Sequence, residues 1–548
     1  MILETIVFLF LSSVLFISLV GYGQIFISRY SSDLLTSFLF GFIILSFLLT
    51  GIHFFTKINF YINIIVLLIG ILLFYYRINF YFIEIYKKKK FIYFFIFLLL
   101  IPIFLSQKYH EDFGYYHLPY LISFSEHKII FGLANSNTAF THNSLWLNII
   151  GIYFLPGNNF NFVTLPTFLT YIVFIFFCFK KNIEYSGKKI SNYFLLISLF
   201  YFIVKFTRLS EFGNDIPSTI FSILSIFYFL KFSETSDLKK CRRLFFFNFA
   251  FSIFAILIKF SCIPILFLTI YLFIKNYKKL IIEIFRIEFI IIYLLVLFFF
   301  LQQFFYTGCL IFPSQYSCFN VSWFNNEILS LRENLELTNK SYFSVNTVLS
   351  KEEYLKKFSW LPFWAQRNYS EILEHLTTIL LPISLLFIFS NKSNKKNNLK
   401  FNNKKLFLIF ILIGFIFWLK LSPVYRFAIP YFLSLIFILT FDIYSLREFS
   451  KKSFIIFILI ALTFNFSKNL LRLSNKSQIY YGIEKINNLF ITEKSSTNNF
   501  IDVFTPDLTN NQNGWQGRLC WDIPFLCTYS KININKRKGY LFLSKLNN

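Results

Sequence analysis

The sequence predicts an all-α polytopic membrane protein of about fourteen transmembrane helices, with a small extracytoplasmic C-terminal appendage. Three observations carry that expectation. The chain is 56% hydrophobic, with 83 phenylalanines in 548 residues and a mean hydropathy of +0.60, a balance foreign to soluble domains. Apolar runs of about 15–20 residues recur along it, the length a bilayer-crossing helix needs. Alternate connections between the runs carry clusters of Lys and Arg, as the positive-inside rule requires of cytoplasmic loops.

Taken in order, the spans fall at 2–20, 34–55, 58–76, 91–106, 160–179, 190–204, 216–230, 244–258, 261–274, 287–305, 376–390, 406–419, 428–446 and 453–467. The first resembles a signal peptide only in hydrophobicity. It carries Glu4 in place of a basic leader and runs into Gly21-Tyr22-Gly23 without a small-residue cleavage site, so it is expected to be a retained span. The stretch 244–274 is too long for one crossing and is interrupted by Lys259 and Pro264. Splitting it there puts all the basic connections on one side: 77–90, 180–189, 231–243, 275–286, 392–405 and 447–452. Both termini then lie outside the cytoplasm. The chain divides into a membrane domain, 1–467, and an appendage, 468–548. Outer loops are expected at 107–159 and 306–375. Turn residues between short apolar runs in the appendage, such as Phe500 to Phe504, predict β structure there.

The net charge of +26 raises nucleic acid as a partner. The lysines sit between spans rather than along a groove, so the expected partner is the bilayer and not nucleic acid. The Phe-, Ile-, Lys-, Asn- and Tyr-rich composition reads as a general bias and has no functional weight. Of seven cysteines, four fall outside in two close pairs, Cys309/Cys318 and Cys520/Cys527. That is the pattern of disulfides on an oxidising face, chance proximity being the alternative. Neither pair has zinc-site spacing, and no metal site is expected from them.

Chemistry gathers in the first outer loop, Tyr109-His110-Glu111-Asp112-Phe113-Gly114-Tyr115-Tyr116-His117. Acidic residues number only 27 in the chain, and two adjoin here just beyond a span. Such a pair can deprotonate a hydroxyl or hold a divalent cation. Asp112 is the leading catalytic candidate, with Glu111 beside it; helix capping is the alternative. His117 can orient the carboxylate or bond a phosphate oxygen, and Tyr116 is a candidate substrate contact. The alternative for both is an aromatic belt at the lipid interface.

Lys259 lies between two short helices, where an ammonium costs about 2.5–3.5 kcal/mol at mid-membrane and usually faces a cavity or an anion. Arg208 and Arg426 flank spans on the same side, and the guanidinium fork suits phosphate. Each alone is ordinarily a boundary anchor; together the three cations predict a phosphate site. Asp215-Ile216-Pro217 reads as a helix start, with Asp215 as its N-cap. P-loop, dinucleotide, zinc-protease and serine-elbow motifs are lacking in the sequence. An activated donor would therefore be used outside the cytoplasm, which favours a lipid-phosphate-linked one.

These motifs resemble the GT-C superfamily of membrane glycosyltransferases, which use polyprenyl-phosphate sugars. More narrowly, the chain is similar to a family of uncharacterised bacterial multi-pass proteins with an Asp-x-Gly-x-Tyr-His motif, here Asp112 to His117. Asp215 to Pro217, Lys259, Gly308 to Pro313, Arg426-Phe427 and Cys520 to Cys527 match its other short motifs. The resemblance implies a GT-C-like fold in the inner membrane, with Asp112 at the catalytic acid position. The expected activity moves a sugar from a polyprenyl-phosphate donor to a glycan, lipid or protein acceptor of the cell envelope. Asp112 would be the base, Glu111 and His117 its supports, and Lys259, Arg208 and Arg426 the phosphate clamp. A divalent cation on the donor phosphate is the one cofactor left open. Two alternatives stand: a transporter or flippase for lipid-linked saccharides, and a polysaccharide polymerase or ligase.

Overall fold

In lipid every backbone donor and acceptor must be met within the segment, so apolar runs fold as helices. Each of the fourteen expected ranges contains one. The computed structural model describes residues 2–31, 33–77, 90–106, 112–153, 163–184, 189–206, 213–392, 401–448, 451–474, 496–497, 502–504, 519–520 and 526–545. Among the described residues nine helices are long and apolar enough to cross a membrane, and three apolar ones, Phe60–Tyr76, Ile92–Leu105 and Ile190–Lys205, are shorter. Residues 2–474 thus form a helical, multi-pass bundle suited to a lipid bilayer where they are described.

Several boundaries differ from expectation, each for a packing reason. The first helix runs through the Gly21-Tyr22-Gly23 stretch to Ile27. Glycine here is not a stop but a contact surface: a Cβ on Gly23 would overlap the Ser37 carbonyl, and one on Gly41 the Leu19 carbonyl. The Ile2–Ile27 and Leu34–His53 backbones therefore touch, as small residues allow in membranes. Gly41→Leu is expected to cost about 3 kcal/mol or more through forced separation of the two helices. Thermal unfolding in detergent checks it; an unchanged melting temperature would show that the pair yields freely.

The 306–375 loop is shorter than expected, because the Leu361–Ile388 helix begins at 361 and not 376. Its first half carries Gln366, Arg367, Glu371 and Glu374, which hid it from hydropathy. Trp364 at its start is buried against Trp418, the rings 5.5 Å apart. The Lys451–Ser474 helix likewise continues past 467, held by Ser106 Oγ donating to Asn469 Oδ1 at 2.6 Å and by Asn465 Nδ2 donating to the Ile203 carbonyl at 2.6 Å.

The two ends of the bundle are chemically distinct. At one end the basic connections are tied down by ion pairs: Lys180 with Asp33, Arg29 with Glu288, Arg242 and Arg286 with Glu283, and Lys404 with Asp442. The Phe260–Lys275 segment bends there by 92° into Tyr277–Phe285. The opposite end gathers residues 112–153, the Lys259 break and the 425–428 turn.

The C-terminal segment is β-structured where described. Ile532–Arg537 and Tyr540–Lys545 pair antiparallel around Lys538-Gly539, both with positive φ (48° and 77°), as a two-residue hairpin requires. The hairpin docks onto the loop after the acidic motif: Phe131 N–H donates to the Leu541 carbonyl at 2.9 Å, and Leu543 N–H to the Phe131 carbonyl at 2.8 Å. Cys309–Cys318 and Cys520–Cys527 are both disulfide-bonded.

Candidate functional site

The Asp215–Ser233 helix opens at the end opposite the basic connections. Asp215 is not its N-cap, as Asp-Ile-Pro suggested. Asn214 occupies that position, and the Asp215 carboxylate is spent on two cations. Lys259 Nζ bonds Oδ1, and Arg426 Nε lies 3.0 Å from Oδ2. Local sequence signals a helix start but cannot show partners brought by other helices.

Lys259 is delivered by a break. The Leu238–Ile258 helix ends one residue earlier, and Lys259 is extended (φ −154°, ψ 119°) before a 3₁₀ turn over Phe260–Ile265. The interruption exposes the Ile258 carbonyl, which accepts from Ser144 Oγ at 2.8 Å and Asn214 Nδ2 at 3.4 Å. A break within a span is tolerated when neighbours satisfy it in this way. The ammonium also sits 3.4 Å above the Phe427 ring centroid, a cation–π contact that steadies it.

Arg426 comes from a 3₁₀ turn, Tyr425–Ala428, that leads into the Ile429–Ser445 helix. Two indoles hold that turn: Trp364 Nε1 donates to the Pro423 carbonyl at 2.9 Å and Trp418 Nε1 to the Val424 carbonyl at 2.7 Å. Tyr431 Oη donates to the Ser261 carbonyl at 3.0 Å, locking the Lys259 break to the Arg426 helix. Lys259 and Arg426 are thereby held at a fixed spacing by the segments that carry them.

The acidic motif folds as a π-helical turn, Phe113–His117, with Asp112 at its entrance. Single π turns recur at functional sites, since the wider ring leaves backbone groups for other partners. Here the Tyr115 carbonyl accepts from Asn137 Nδ2 at 2.8 Å. Asp112 is half-buried, and its side chain makes no capping bond to the turn. His117 is buried, 4.2 Å from the Tyr116 ring, and within electrostatic reach of Asp215. Tyr116 is partly exposed beside it. The structure therefore brings together His117, Lys259, Arg426 and Asp215, with Asp112 at the other end of the turn that carries His117. Glu111 and Arg208 lie outside the described residues. Among the described residues no group of three or more His, Cys, Asp and Glu could hold a metal ion.

His142 is a member that sequence reasoning missed. It lies in the outer loop, where burial and then the nearby Lys259 ammonium push its imidazole below the usual histidine range. It is accordingly neutral near pH 7 and can donate or accept. The polar run Thr141-His142-Asn143-Ser144 was the available signal.

Tyr425, the residue before Arg426, lines a small apolar crevice between helices together with Tyr201, Ile372, His375, Ile379 and Phe432. Tyr201 Oη and His375 Nδ1 are 2.7 Å apart in its wall.

Fold and site define a multi-pass helical membrane protein with a partly buried polar cluster at one end of its bundle. Residues 1–433 match the family described as a domain of unknown function, DUF8201, and the chain belongs to that family. The match includes Asp112, His117, His142, Asp215, Lys259 and Arg426 and stops short of the C-terminal hairpin. No curated protein and no solved structure matches the chain.

Proposed function

We propose that this protein is a GT-C-like glycosyltransferase of about fourteen spans, acting at the outer face of the bacterial inner membrane with both termini extracytoplasmic. It moves a sugar from a polyprenyl-phosphate donor to a glycan, lipid or protein acceptor. The observation that supports this reading is the convergence of Lys259 and Arg426 on one point, next to His117 and to an apolar crevice between helices. Two cations facing one carboxylate leave a positive surplus suited to a phosphate monoanion, and the neighbouring wall of Ile372, Ile379 and Phe432 is apolar, as contact with a prenyl chain requires.

In that reaction Asp112 takes the proton from the acceptor hydroxyl as its oxygen attacks the anomeric carbon. The bond from that carbon to the donor phosphate breaks, and the electron pair leaves on the phosphate oxygen. Lys259 and Arg426 stabilise the charge that develops there, and His117 holds the approach of the motif to the phosphate. Preorganised cations stabilise such a charge without reorganising at the moment of reaction, and holding donor and acceptor together removes much of the entropic barrier.

A broken helix carrying a charge also belongs to transporters, so the Lys259 break favours a lipid-saccharide transporter as the second reading. One experiment separates them. Purified protein in nanodiscs is given polyprenyl-phosphate sugars labelled in the sugar, together with envelope glycan and lipid acceptors. Label transferred to an acceptor is the expected result. Label that only changes leaflet in proteoliposomes would put the transporter first.

A further inference from the structure

We propose that Asp215 is a resident stand-in for the ligand phosphate: in the resting protein it occupies Lys259 and Arg426, and the anion binds by displacing it. This rests on the phosphate-site reading above and specifies how that site is kept.

The geometry points this way. Oδ1 and Oδ2 are each engaged by a different cation, much as two phosphate oxygens would be. The cations are anchored independently of Asp215: Lys259 by the helix break and the Phe427 ring, Arg426 by a turn whose carbonyls the two indoles hold. Asp215 is not anchored as a cap, and it sits on the first residue of its helix. It can therefore swing without unwinding anything.

A released carboxylate has somewhere to go. His117 lies within its electrostatic reach, and the positive end of the helix dipole, where Asp215 sits, favours a carboxylate. Arg426 is 44% exposed and Asp215 22%, so an incoming phosphate meets the guanidinium first. Without Asp215 two neighbouring cations, of which Lys259 is mostly buried, would stand uncompensated whenever the site was empty, an unfavourable state. The carboxylate stabilises the empty site and sets an affinity threshold: ligand binds only as tightly as the fraction of sites with Asp215 displaced permits.

The test uses farnesyl phosphate as probe on the full chain in detergent, with farnesol and inorganic phosphate as comparison arms. Asp215→Asn removes the competing charge and keeps the shape. It should tighten farnesyl phosphate binding on the order of tenfold, while Asp215→Glu, which keeps the charge, stays near wild type. Farnesol should gain nothing. Inorganic phosphate competing as well as farnesyl phosphate would identify a free-phosphate site rather than a lipid headgroup site.

Weaker or unchanged binding by Asp215→Asn, with wild type binding normally, would overturn the stand-in and make Asp215 a fixed scaffold, leaving the phosphate site intact. No binding by either protein would overturn both readings. Should Asp215→Asn fail to fold, infrared difference spectra of wild type decide. Farnesyl phosphate should shift one carboxylate stretch as its ion pairs break, and an unperturbed carboxylate region would overturn the proposal.

Discussion

Asp112→Asn is expected to give a folded, inserted protein that transfers sugar more slowly by a factor of about 100 or more, the usual consequence of losing a general base. The amide is nearly isosteric with the carboxylate and keeps one acceptor oxygen, so the π turn it opens should survive the change. The loss should fall on kcat, because the proposed donor-phosphate site is elsewhere, at Lys259 and Arg426. Farnesyl phosphate binding should therefore be unaltered. Single-turnover transfer and binding, measured on the same preparation, separate the two. Full activity in the variant would remove Asp112 from the chemistry and leave Asp215 as the carboxylate to test as base.

The parts that were legible in the sequence are those whose physics is local. Bilayer thickness and lysine sidedness mark most helix positions, because an apolar run in lipid has no other way to satisfy its backbone. Lys259 stood out for the same reason: a charge between two apolar runs is too costly to be idle. Asp215 was misread because its local context, Asp-Ile-Pro, is a genuine helix-start signal, whereas its partners Lys259 and Arg426 lie on other helices. His142 escaped because a polar residue in a polar loop costs nothing until the fold buries it beside an ammonium. The early start of the Leu361–Ile388 helix was hidden by charged side chains on its exposed first half, and only Trp364 docking on Trp418 reveals it. Nor does any local pattern tell that the C-terminal hairpin returns to Phe131. Tertiary pairing, not propensity, decides each of these.

Lys259→Ala should lower stability and donor affinity together, and a second substitution can pull the two effects apart. Removing one partner of a desolvated pair strands the other, at a cost of about 3 kcal/mol or more. Arg426 remains on Asp215, which puts the expected loss at the lower end of that range. Farnesyl phosphate binding should weaken roughly 10- to 100-fold, since in the proposed site the ammonium would meet the phosphate in the ground state as well as during transfer. Stability alone cannot show a clamp, because a purely structural ion pair would lose it too. Adding Asp215→Asn to Lys259→Met removes the stranded carboxylate and supplies an apolar chain of similar length over Phe427. That double variant should regain most of the melting temperature, but of the affinity only the part that freeing Arg426 from Asp215 returns, so it binds more weakly than Asp215→Asn alone. Recovery of both would mean that Lys259 serves the fold and that the phosphate is held elsewhere. Recovery of neither would mean that the break at Lys259 needs the ammonium itself, and Arg426→Lys would then test the clamp. The shorter point charge keeps the cation but loses the guanidinium fork, so a clamp predicts weaker phosphate binding in a protein of near-normal stability.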